Sequence, residues 1–233
     1  MIYTVTLNPA LDKTVQIPSF RLGEVNRISA MRTDPGGKGI NVSKVLRELG
    51  EPSVAAAILG GAAGQKIESA LRALGIEGMC LFTGHETRTN LKIVDPTLHT
   101  NTDVNEPGAP ADEAVLSKLL TQLTDRLRPG DLVVLSGKAP AGAPDTLYRD
   151  WILACRAAGA AVYLDAEGEL LRQGVTAGPA LIKPNQAELS GVMGRPLTTE
   201  DETIRAAQEL LAQGVGCVAV TMGAGGALLC WED

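Results

Sequence analysis

Residues 35–41 read PGGKGIN, and the rest of the chain is organised around this glycine-rich stretch. Three glycines in four positions let the backbone approach a bulky polar ligand, because no Cβ blocks the approach and positive φ costs little. Apolar residues recur at helical spacing directly afterwards, and Gly50 follows as a stop signal. The stretch therefore predicts a loop leading into a helix N-terminus, where free N–H groups favour an anion. The alternative is a tight strand-to-helix turn that needs glycine for its shape alone.

The composition is that of a globular chain with a sizeable core. It has 233 residues, of which 45% are hydrophobic and 21% charged. A formal net charge of -6 argues against a general role in binding nucleic acid or a membrane surface. No run reaches the ~18 apolar residues of a membrane span, and the N-terminus lacks a signal-peptide pattern. The four scattered cysteines predict reduced thiols without a zinc site, so we expect a cytoplasmic protein.

Short apolar strands alternate with helices along most of the chain. The alternation predicts an α/β fold in which a mainly parallel sheet is covered on both faces. Residues 14–33 and 86–104 differ, because they form short and more polar strands, and residues 105–110 follow as a hinge rich in proline and glycine. We therefore predict that 14–33 and 86–104 form a small β-sheet lid on a single domain that covers residues 1–233.

Chemically useful residues follow several predicted strands. Asp12, Ser136, Asp165, Lys183 and Thr221 each lie at or just beyond a strand end. The carboxyl ends of parallel strands share one edge, so these residues predict a single crevice. A turn-capping role is the alternative for Asp12.

Two further patterns have both a functional and a structural interpretation. Asn185 and Glu188 are three residues apart at a helix start, which suits Mg²⁺ held partly through water but equally suits helix capping. Arg88, Asn90 and Lys92 alternate along one strand and could reach over a phosphorylated ligand. The alternative for that strand is a solvated polar face.

Six motifs occur together in one order: TLNPALD at 6–12, GGKGINV at 36–42, TRTNLKI at 87–93, LSG at 135–137, KPNQAE at 183–188 and TMGAGG at 221–226. On these motifs the chain resembles the PfkB family of ribokinase-like carbohydrate kinases, and within it the 1-phosphofructokinase branch. The resemblance covers the whole chain. It implies a ribokinase-like three-layer sandwich with a β-sheet lid.

The resemblance also implies a reaction, which is ATP- and Mg²⁺-dependent phosphorylation of D-fructose 1-phosphate to fructose 1,6-bisphosphate. Kinases of tagatose 6-phosphate or fructose 6-phosphate are the nearest alternatives. Family members often pair their lids, so a homodimer through the lid is expected.

The same resemblance assigns residues to the two substrates and the metal. The sugar-phosphate residues would be Asp12, Arg27, Gly37, Lys38, Asn41, Arg88, Asn90 and Ser136. The ATP residues would be Lys183, Asn185, Thr221, Gly223 and Gly226. Mg²⁺ would be held by Glu188 and, through water, by Asn185.

Three departures from the family pattern stand out. Lys138 and Ala139 replace the usual Ser-Leu pair after Ser136-Gly137, and Ala166-Glu167 replaces a usual Thr-Ser. The family's Gly-Ala-Gly-Asp element, with its catalytic aspartate, is not found before Asp233. We therefore expect that aspartate to lie beyond Asp233, in a C-terminal part missing from this chain.

Two other classes of protein are kept as alternatives. A non-catalytic sugar-phosphate or nucleotide-binding fragment would not need the missing aspartate. A dinucleotide-binding dehydrogenase fits poorly, because Leu228 stands where the third glycine of its fingerprint belongs.

Overall fold

A computed structural model of the chain describes residues 1–231, so Asp233 lies outside the described residues. Within that range the chain forms two sheets and seven α-helices. The strands are β1 (Ile2–Thr6), β2 (Ala10–Gln16), β3 (Ala30–Gly36), β4 (Ser53–Gly60), β5 (Glu77–Thr83), β6 (Arg88–Asp95), β7 (Thr100–Asn105), β8 (Leu132–Ser136), β9 (Ala161–Asp165), β10 (Leu181–Ile182), β11 (Cys217–Thr221) and β12 (Ala227–Trp231). The helices are α1 (Lys38–Glu48), α2 (Gly61–Ala73), α3 (Glu113–Arg126), α4 (Leu147–Ala157), α5 (Gly168–Val175), α6 (Gln186–Met193) and α7 (Glu200–Ala212).

The larger sheet has the strand order β12-β11-β10-β9-β8-β1-β4-β5. Its strands run parallel except β12, which is antiparallel to β11. The N-terminal strand β1 lies inside the sheet, where Ile2 is opposite both Ser53 and Leu132. A strand with neighbours on each side and helices above and below is buried on both faces, which explains its apolar sequence.

Alternate side chains of β4 point to opposite faces of this sheet. Val54 and Ala56 of β4 join the larger apolar cluster, whereas Ala55 and Ala57 join the smaller one. Helices α1 and α2 pack on the smaller cluster, and helices α3 to α7 supply the larger one. The result confirms the predicted three-layer α/β/α architecture with a mainly parallel sheet.

One strip of the sheet carries exposed apolar side chains. On the face that carries α1 and α2, Tyr163, Leu229 and Trp231 of strands β9 and β12 are exposed. Their strand neighbours on the opposite face, such as Val162 and Leu164, are buried in the larger cluster. Within residues 1–231 this strip is therefore open to solvent.

The second sheet has the order β3-β2-β6-β7 and confirms the predicted small sheet. Strand β2 pairs antiparallel with β3 and parallel with β6, and it begins at Ala10 rather than near Thr14. The placement of Asp12 at the end of the first strand is therefore wrong, since it lies within β2. Strand β1 ends at Thr6, and directly after Pro9 the chain starts a new strand that pairs with both β3 and β6. That this sheet acts as a lid remains a prediction.

Asp95 fixes the outer end of the second sheet. Its buried carboxylate accepts backbone N–H groups of Ser19 and Phe20 at 3.0 and 2.7 Å, and of Thr97 and Leu98 at 2.8 and 3.1 Å. Burial by itself raises the pKa of Asp95, but the four donors together outweigh it and lower that pKa. The long connection between β2 and β3 is thereby tied to the end of β6.

The structure adds two local details that the sequence did not predict. Helix α5 was not predicted, and residues 221–226 form a tight turn between antiparallel strands that includes a 3-10 turn at Gly223–Gly225. None of the helices within the described residues is long and apolar enough to cross a membrane.

Candidate active site

The glycine stretch connects the second sheet to helix α1. Gly37 has a φ of 117°, and a Cβ on it would lie 2.5 Å from Thr6 Cγ2. A Cβ on Gly36 would overlap the Asp12 carboxylate. No side chain caps α1 at Gly37, although Thr6 Oγ1 accepts the N–H of Ile40 at 3.0 Å. Gly36 and Gly37 have no room for a Cβ, because the chain packs closely against Asp12 and Thr6 there. The uncapped N-terminus of α1, with its partial positive charge, faces the crevice.

A chain of polar contacts runs across the second sheet. Asn90 donates its side-chain N–H to Asp12 Oδ1 at 2.9 Å, and Arg88 donates to Asn90 Oδ1 at 3.2 Å. Arg88 also donates to the carbonyl of Asn8 at 3.1 and 3.3 Å and to that of Glu106 at 3.1 Å. The guanidinium is therefore held in one orientation.

Arg88 is partly removed from water. Burial lowers the pKa of the Arg88 guanidinium, and the carboxylates of Asp12 and Glu106 act in the opposite direction. An arginine still carries its charge, because its ordinary pKa lies far above neutrality. A fixed and partly desolvated cation of this kind is suited to bind phosphate.

These side chains border a cavity of about 370 Å³. Its lining includes Lys38, Arg88, Asn90, Glu106, Ser136 and Lys138. An adjoining depression along the second sheet shares Asn90 and adds Asp12. A cavity of this size accommodates a ligand with the dimensions of a sugar phosphate.

Ser136 provides an independent sign of a polar ligand. The residue is 1% exposed, and its hydroxyl is the one buried side-chain polar atom without a hydrogen-bond partner within residues 1–231. Leaving such a group unsatisfied costs free energy, so native structures rarely do so without a reason. A ligand oxygen in the cavity would supply the missing partner.

Asp165 links the two halves of the crevice. Its carboxylate pairs with Lys38 Nζ at 3.0 Å through one oxygen and with Lys183 Nζ at 3.3 Å through the other. The sequence placed Asp165 at a strand end but gave it no role. The available sequence signal was its position at a strand end, like that of Ser136, while the structure adds that these two strands, β8 and β9, are neighbours.

The residues predicted for ATP gather at the ends of β10 and β11. The backbone N–H of Thr221 donates to the carbonyl of Pro184 at 3.0 Å, which places Thr221 beside Asn185. Gly223 and Gly226, with φ of 57° and 89°, shape the turn that follows. Sequence order alone did not reveal that these two segments meet.

Asn185 and Glu188 form a helix-capping pair. Asn185 Oδ1 accepts the Glu188 N–H at 2.9 Å, and Glu188 Oε2 accepts the Asn185 N–H at 2.8 Å. The structural interpretation of this pair is therefore confirmed, while its metal role stays a prediction. Within residues 1–231 no cluster of three or more acidic, histidine or cysteine side chains could hold a metal. The single carboxylate of Glu188 fits an Mg²⁺ ion that is also bound by nucleotide phosphates. It does not fit a resident ion held by the protein alone.

Two predicted sugar-phosphate residues stand apart from the cavity. Arg27 is exposed on the connection between β2 and β3, in a separate depression lined by residues 17–29. Asn41 is exposed on the first turn of α1, where its Oδ1 accepts Lys44 Nζ at 3.5 Å. Neither residue is among the cavity lining, so their roles remain predictions.

A comparison with known protein families matches residues 5–233 to the pfkB family carbohydrate kinases. The chain belongs to the pfkB family. It is 42% identical over 229 residues to a 1-phosphofructokinase of Rhodobacter capsulatus, covering 98% of this chain and 72% of that protein. It is 39% identical to a 1-phosphofructokinase of Xanthomonas campestris, covering 99% of this chain and 74% of the relative.

Among solved structures, this pfkB kinase is similar to phosphofructokinase-2 of Escherichia coli in complex with fructose-6-phosphate. The TM-score is 0.95 at 32% identity, and the match covers 100% of this chain and 77% of the other. The comparisons confirm the ribokinase-like fold and a phosphotransferase of the sugar-phosphate kinase type that uses ATP. The chain spans about three quarters of the length of these relatives.

Proposed function

We propose that this pfkB kinase transfers the terminal phosphoryl group of ATP to D-fructose 1-phosphate and forms fructose 1,6-bisphosphate. The observation that carries the proposal is the cavity lined by Arg88, Lys38 and Ser136, whose buried hydroxyl has no hydrogen-bond partner within residues 1–231. The relatives named 1-phosphofructokinase support this choice of substrate.

The sugar phosphate is assigned to the lid side of the crevice. Asp12 and Asn90, which already contact each other at 2.9 Å, would bind sugar hydroxyls. Gly37, Lys38 and Asn41 would hold the sugar at the N-terminus of α1. Arg88 would bind the phosphate already on the substrate, because its forked donors match phosphate oxygens. In this assignment Arg27 assists from the connection between β2 and β3.

The nucleotide is assigned to the side formed by β10 and β11. Lys183 and Asn185 would contact its phosphates, and Thr221, Gly223 and Gly226 would bind the rest of the nucleotide. Glu188, with Asn185 acting through water, would hold Mg²⁺, which neutralises charge on the phosphates when it is bound.

The reaction itself needs little covalent chemistry from the protein. Phosphoryl transfer is catalysed mainly by positioning the two substrates and by neutralising charge on the transferred group. Lys38 and Lys183 are held on the two sides of the crevice by Asp165, so they can contribute cations to both substrates. We assign no residue between 1 and 231 as the general base.

An assay of ADP release with three sugar phosphates tests the proposal. We expect kcat/KM for fructose 1-phosphate to exceed that for fructose 6-phosphate and tagatose 6-phosphate by about tenfold or more. Enzymes discriminate between similar substrates by differences in transition-state binding, which commonly produce a ratio of this size. Intact mass should be measured on the same sample. Faster turnover of another sugar phosphate would contradict the substrate assignment.

A fructose 6-phosphate kinase is the second candidate. The structure of E. coli phosphofructokinase-2 with fructose-6-phosphate favours it, because the match covers 100% of this chain. Binding of fructose 1-phosphate without ADP release would instead favour a non-catalytic sugar-phosphate-binding fragment.

We further propose a homodimer formed through the lid. The connection between β2 and β3 exposes 89% of Leu22 and 87% of Val25, and Met31 and Val104 are also exposed on the lid strands. Leu22 and Val25 lie three residues apart on this connection, and exposed apolar side chains grouped in this way are typical of interaction surfaces. The four unpaired cysteines support a cytoplasmic location.

A further inference from the structure

The link between β5 and β6 is docked on the N-terminus of helix α2. Glu86 accepts the backbone N–H of Ala63 at 2.7 Å through one carboxylate oxygen and that of Ala62 at 3.2 Å through the other. Both donors belong to the first turn of α2, where N–H groups have no partner within the helix and a carboxylate is favoured. Glu86 therefore caps this helix from 23 and 24 residues further along the chain.

Thr87 adds two hydrogen bonds at the same place. Its N–H donates to the carbonyl of Gly60 at 3.0 Å, and its hydroxyl oxygen accepts the N–H of Gly60 at 2.8 Å. A Cβ on Gly60 would overlap the carbonyl of His85, and a Cβ on Gly61 would overlap the Glu86 carboxylate. The link consequently fits against bare backbone at the junction of β4 and α2.

Strand β6 starts directly after this link, and its first residue is Arg88. Arg88 lines the cavity assigned to the sugar phosphate. Consecutive Cα atoms are ~3.8 Å apart, so a contact at Glu86 restricts where Arg88 can lie. The direction in which the arginine enters the cavity therefore depends on the docking of residues 86 and 87.

Arg88 is packed incompletely on its other side. A second cavity, of about 30 Å³, is lined by Asn8, Glu86, Thr87 and Arg88, among other residues. Asn8 and Arg88 line both cavities, so the arginine lies between them. Side-chain packing alone does not determine its position, which depends on its hydrogen bonds to backbone carbonyls and on the fixed start of β6.

We propose that Glu86 is a positioning residue for the sugar-phosphate half of the crevice. By capping α2 it fixes the start of β6, and it thereby holds Arg88 in the orientation that the substrate meets. The inference rests on the proposed function, because it names what positions a residue assigned there to the sugar phosphate. A binding group that is already in place loses less freedom when its ligand arrives, and this strengthens binding.

Calorimetric titration of the full 233-residue chain with fructose 1-phosphate and, separately, with ATP tests this inference. Glu86→Ala should weaken the binding of fructose 1-phosphate about tenfold, because the binding group must then be ordered by the ligand. The affinity for ATP should stay unchanged. Glu86→Gln keeps a side-chain oxygen that accepts an N–H group, so its affinity for fructose 1-phosphate should remain within about threefold of the wild type.

A double-mutant cycle with Arg88 separates positioning from a general loss of stability. Arg88→Ala should weaken the binding of fructose 1-phosphate about a hundredfold, as expected for loss of a charged hydrogen-bond donor. Glu86→Ala should add less than about threefold to that loss, because the residue through which it acts is gone. Losses that multiply in the double variant would show that Glu86 acts independently of Arg88 and would overturn the inference.

Glu202→Ala is the matched control. Like Glu86, Glu202 accepts two backbone N–H groups at the beginning of a helix, those of Thr198 and Thr199 at 2.7 and 3.0 Å. Its replacement should lower the urea midpoint and change neither affinity.

Two outcomes for Glu86→Ala would contradict the inference and leave the proposed function standing. One is wild-type affinity for fructose 1-phosphate, and the other is an equal loss of affinity for fructose 1-phosphate and ATP. Failure of the wild-type chain to bind fructose 1-phosphate would overturn the inference and the proposed function together.

Discussion

The buried hydroxyl of Ser136 destabilises the folded protein because it lacks a hydrogen-bond partner within residues 1–231, and a bound ligand would remove this destabilisation. Its buried hydroxyl has no partner within the described residues, so Ser136→Ala should raise the free energy of unfolding by about 1 kcal/mol. The same substitution should weaken fructose 1-phosphate binding, because the ligand loses a hydrogen-bond partner. Urea denaturation and calorimetry on the same protein measure the two effects.

Ser43 is the matched control for this prediction. It is equally buried, but its hydroxyl contacts Thr4 Oγ1 at 2.7 Å and Ser53 Oγ at 2.9 Å. Ser43→Ala should therefore lower the free energy of unfolding by about 1–2 kcal/mol. Equal destabilisation by the two substitutions would show that Ser136 has a partner in the free protein.

Gly37 is required for space as well as for its backbone conformation. Gly37 and Gly50 have φ of 117° and 83°, but only a Cβ on Gly37 would meet other atoms, at 2.5 Å from Thr6 Cγ2. Gly37→Ala should therefore destabilise the protein by about 2 kcal/mol more than Gly50→Ala, the difference being overpacking. Thermal unfolding of the two variants measures this difference, and similar losses would rule out the steric account.

The beginning of helix α7 carries a pH-dependent contribution to stability. Glu202 accepts the backbone N–H and hydroxyl of Thr198 at 2.7 and 2.9 Å and the N–H of Thr199 at 3.0 Å. These donors, led by the Thr198 N–H, lower the pKa of Glu202 from 4.5 to about 2. A carboxylate with a lowered pKa in the folded state stabilises that state above its unfolded pKa.

The stabilisation from Glu202 should be complete above about pH 5 and should decline as the pH falls toward 2. Glu202→Gln should accordingly lower the urea midpoint clearly at pH 7 and less at pH 4. Glu200→Gln removes a carboxylate from the same first turn but leaves the hydrogen bonds of Glu202 to Thr198 and Thr199 intact, and its effect should be smaller at both pH values. A Glu202→Gln effect that is constant with pH would contradict the assignment.

Regular elements were the most predictable part of the fold. Alternation of apolar strands and helices predicted the parallel sheet, since that pattern depends on local periodicity. Helix α5 was not predicted, and it contains Gly174, where a Cβ would lie 2.5 Å from Leu164 Cδ2. Tertiary packing requires glycine there although the helix itself does not, and one sequence cannot show this.

The site was predictable as a set of strand ends but not as a set of contacts. The glycines and the lysine at 36–38 predicted an anion site by their types and their position before a helix, whereas the role of Lys183 was implied only by the family resemblance. The links through Asp165 and between Lys138 and Glu167 depend on which strands are neighbours. The contact of Arg88 with Asn8 likewise joins residues 80 positions apart.

The dimer prediction concerns the whole molecule. If the lid pairs with a second copy, Leu22 and Val25 become buried there, and replacing both by glutamate should give a monomer by placing unpaired charge at the interface. A dilution series by sedimentation velocity at micromolar concentration measures the assembly. Leu49→Glu, an exposed leucine at the end of α1, is the control and should leave the dimer intact. A wild-type monomer at micromolar concentration would contradict the prediction.

Because β1 lies inside the larger sheet, it cannot complete its strand pairing until later parts of the chain have been synthesised. Residues 2–6 need one neighbour at 53–57 and another that ends at Leu135, in a chain of 233 residues. At about 5–20 residues per second, a ribosome takes on the order of ten seconds to deliver that second neighbour. The first strand to be synthesised therefore keeps one unpaired flank until more than half of the chain exists.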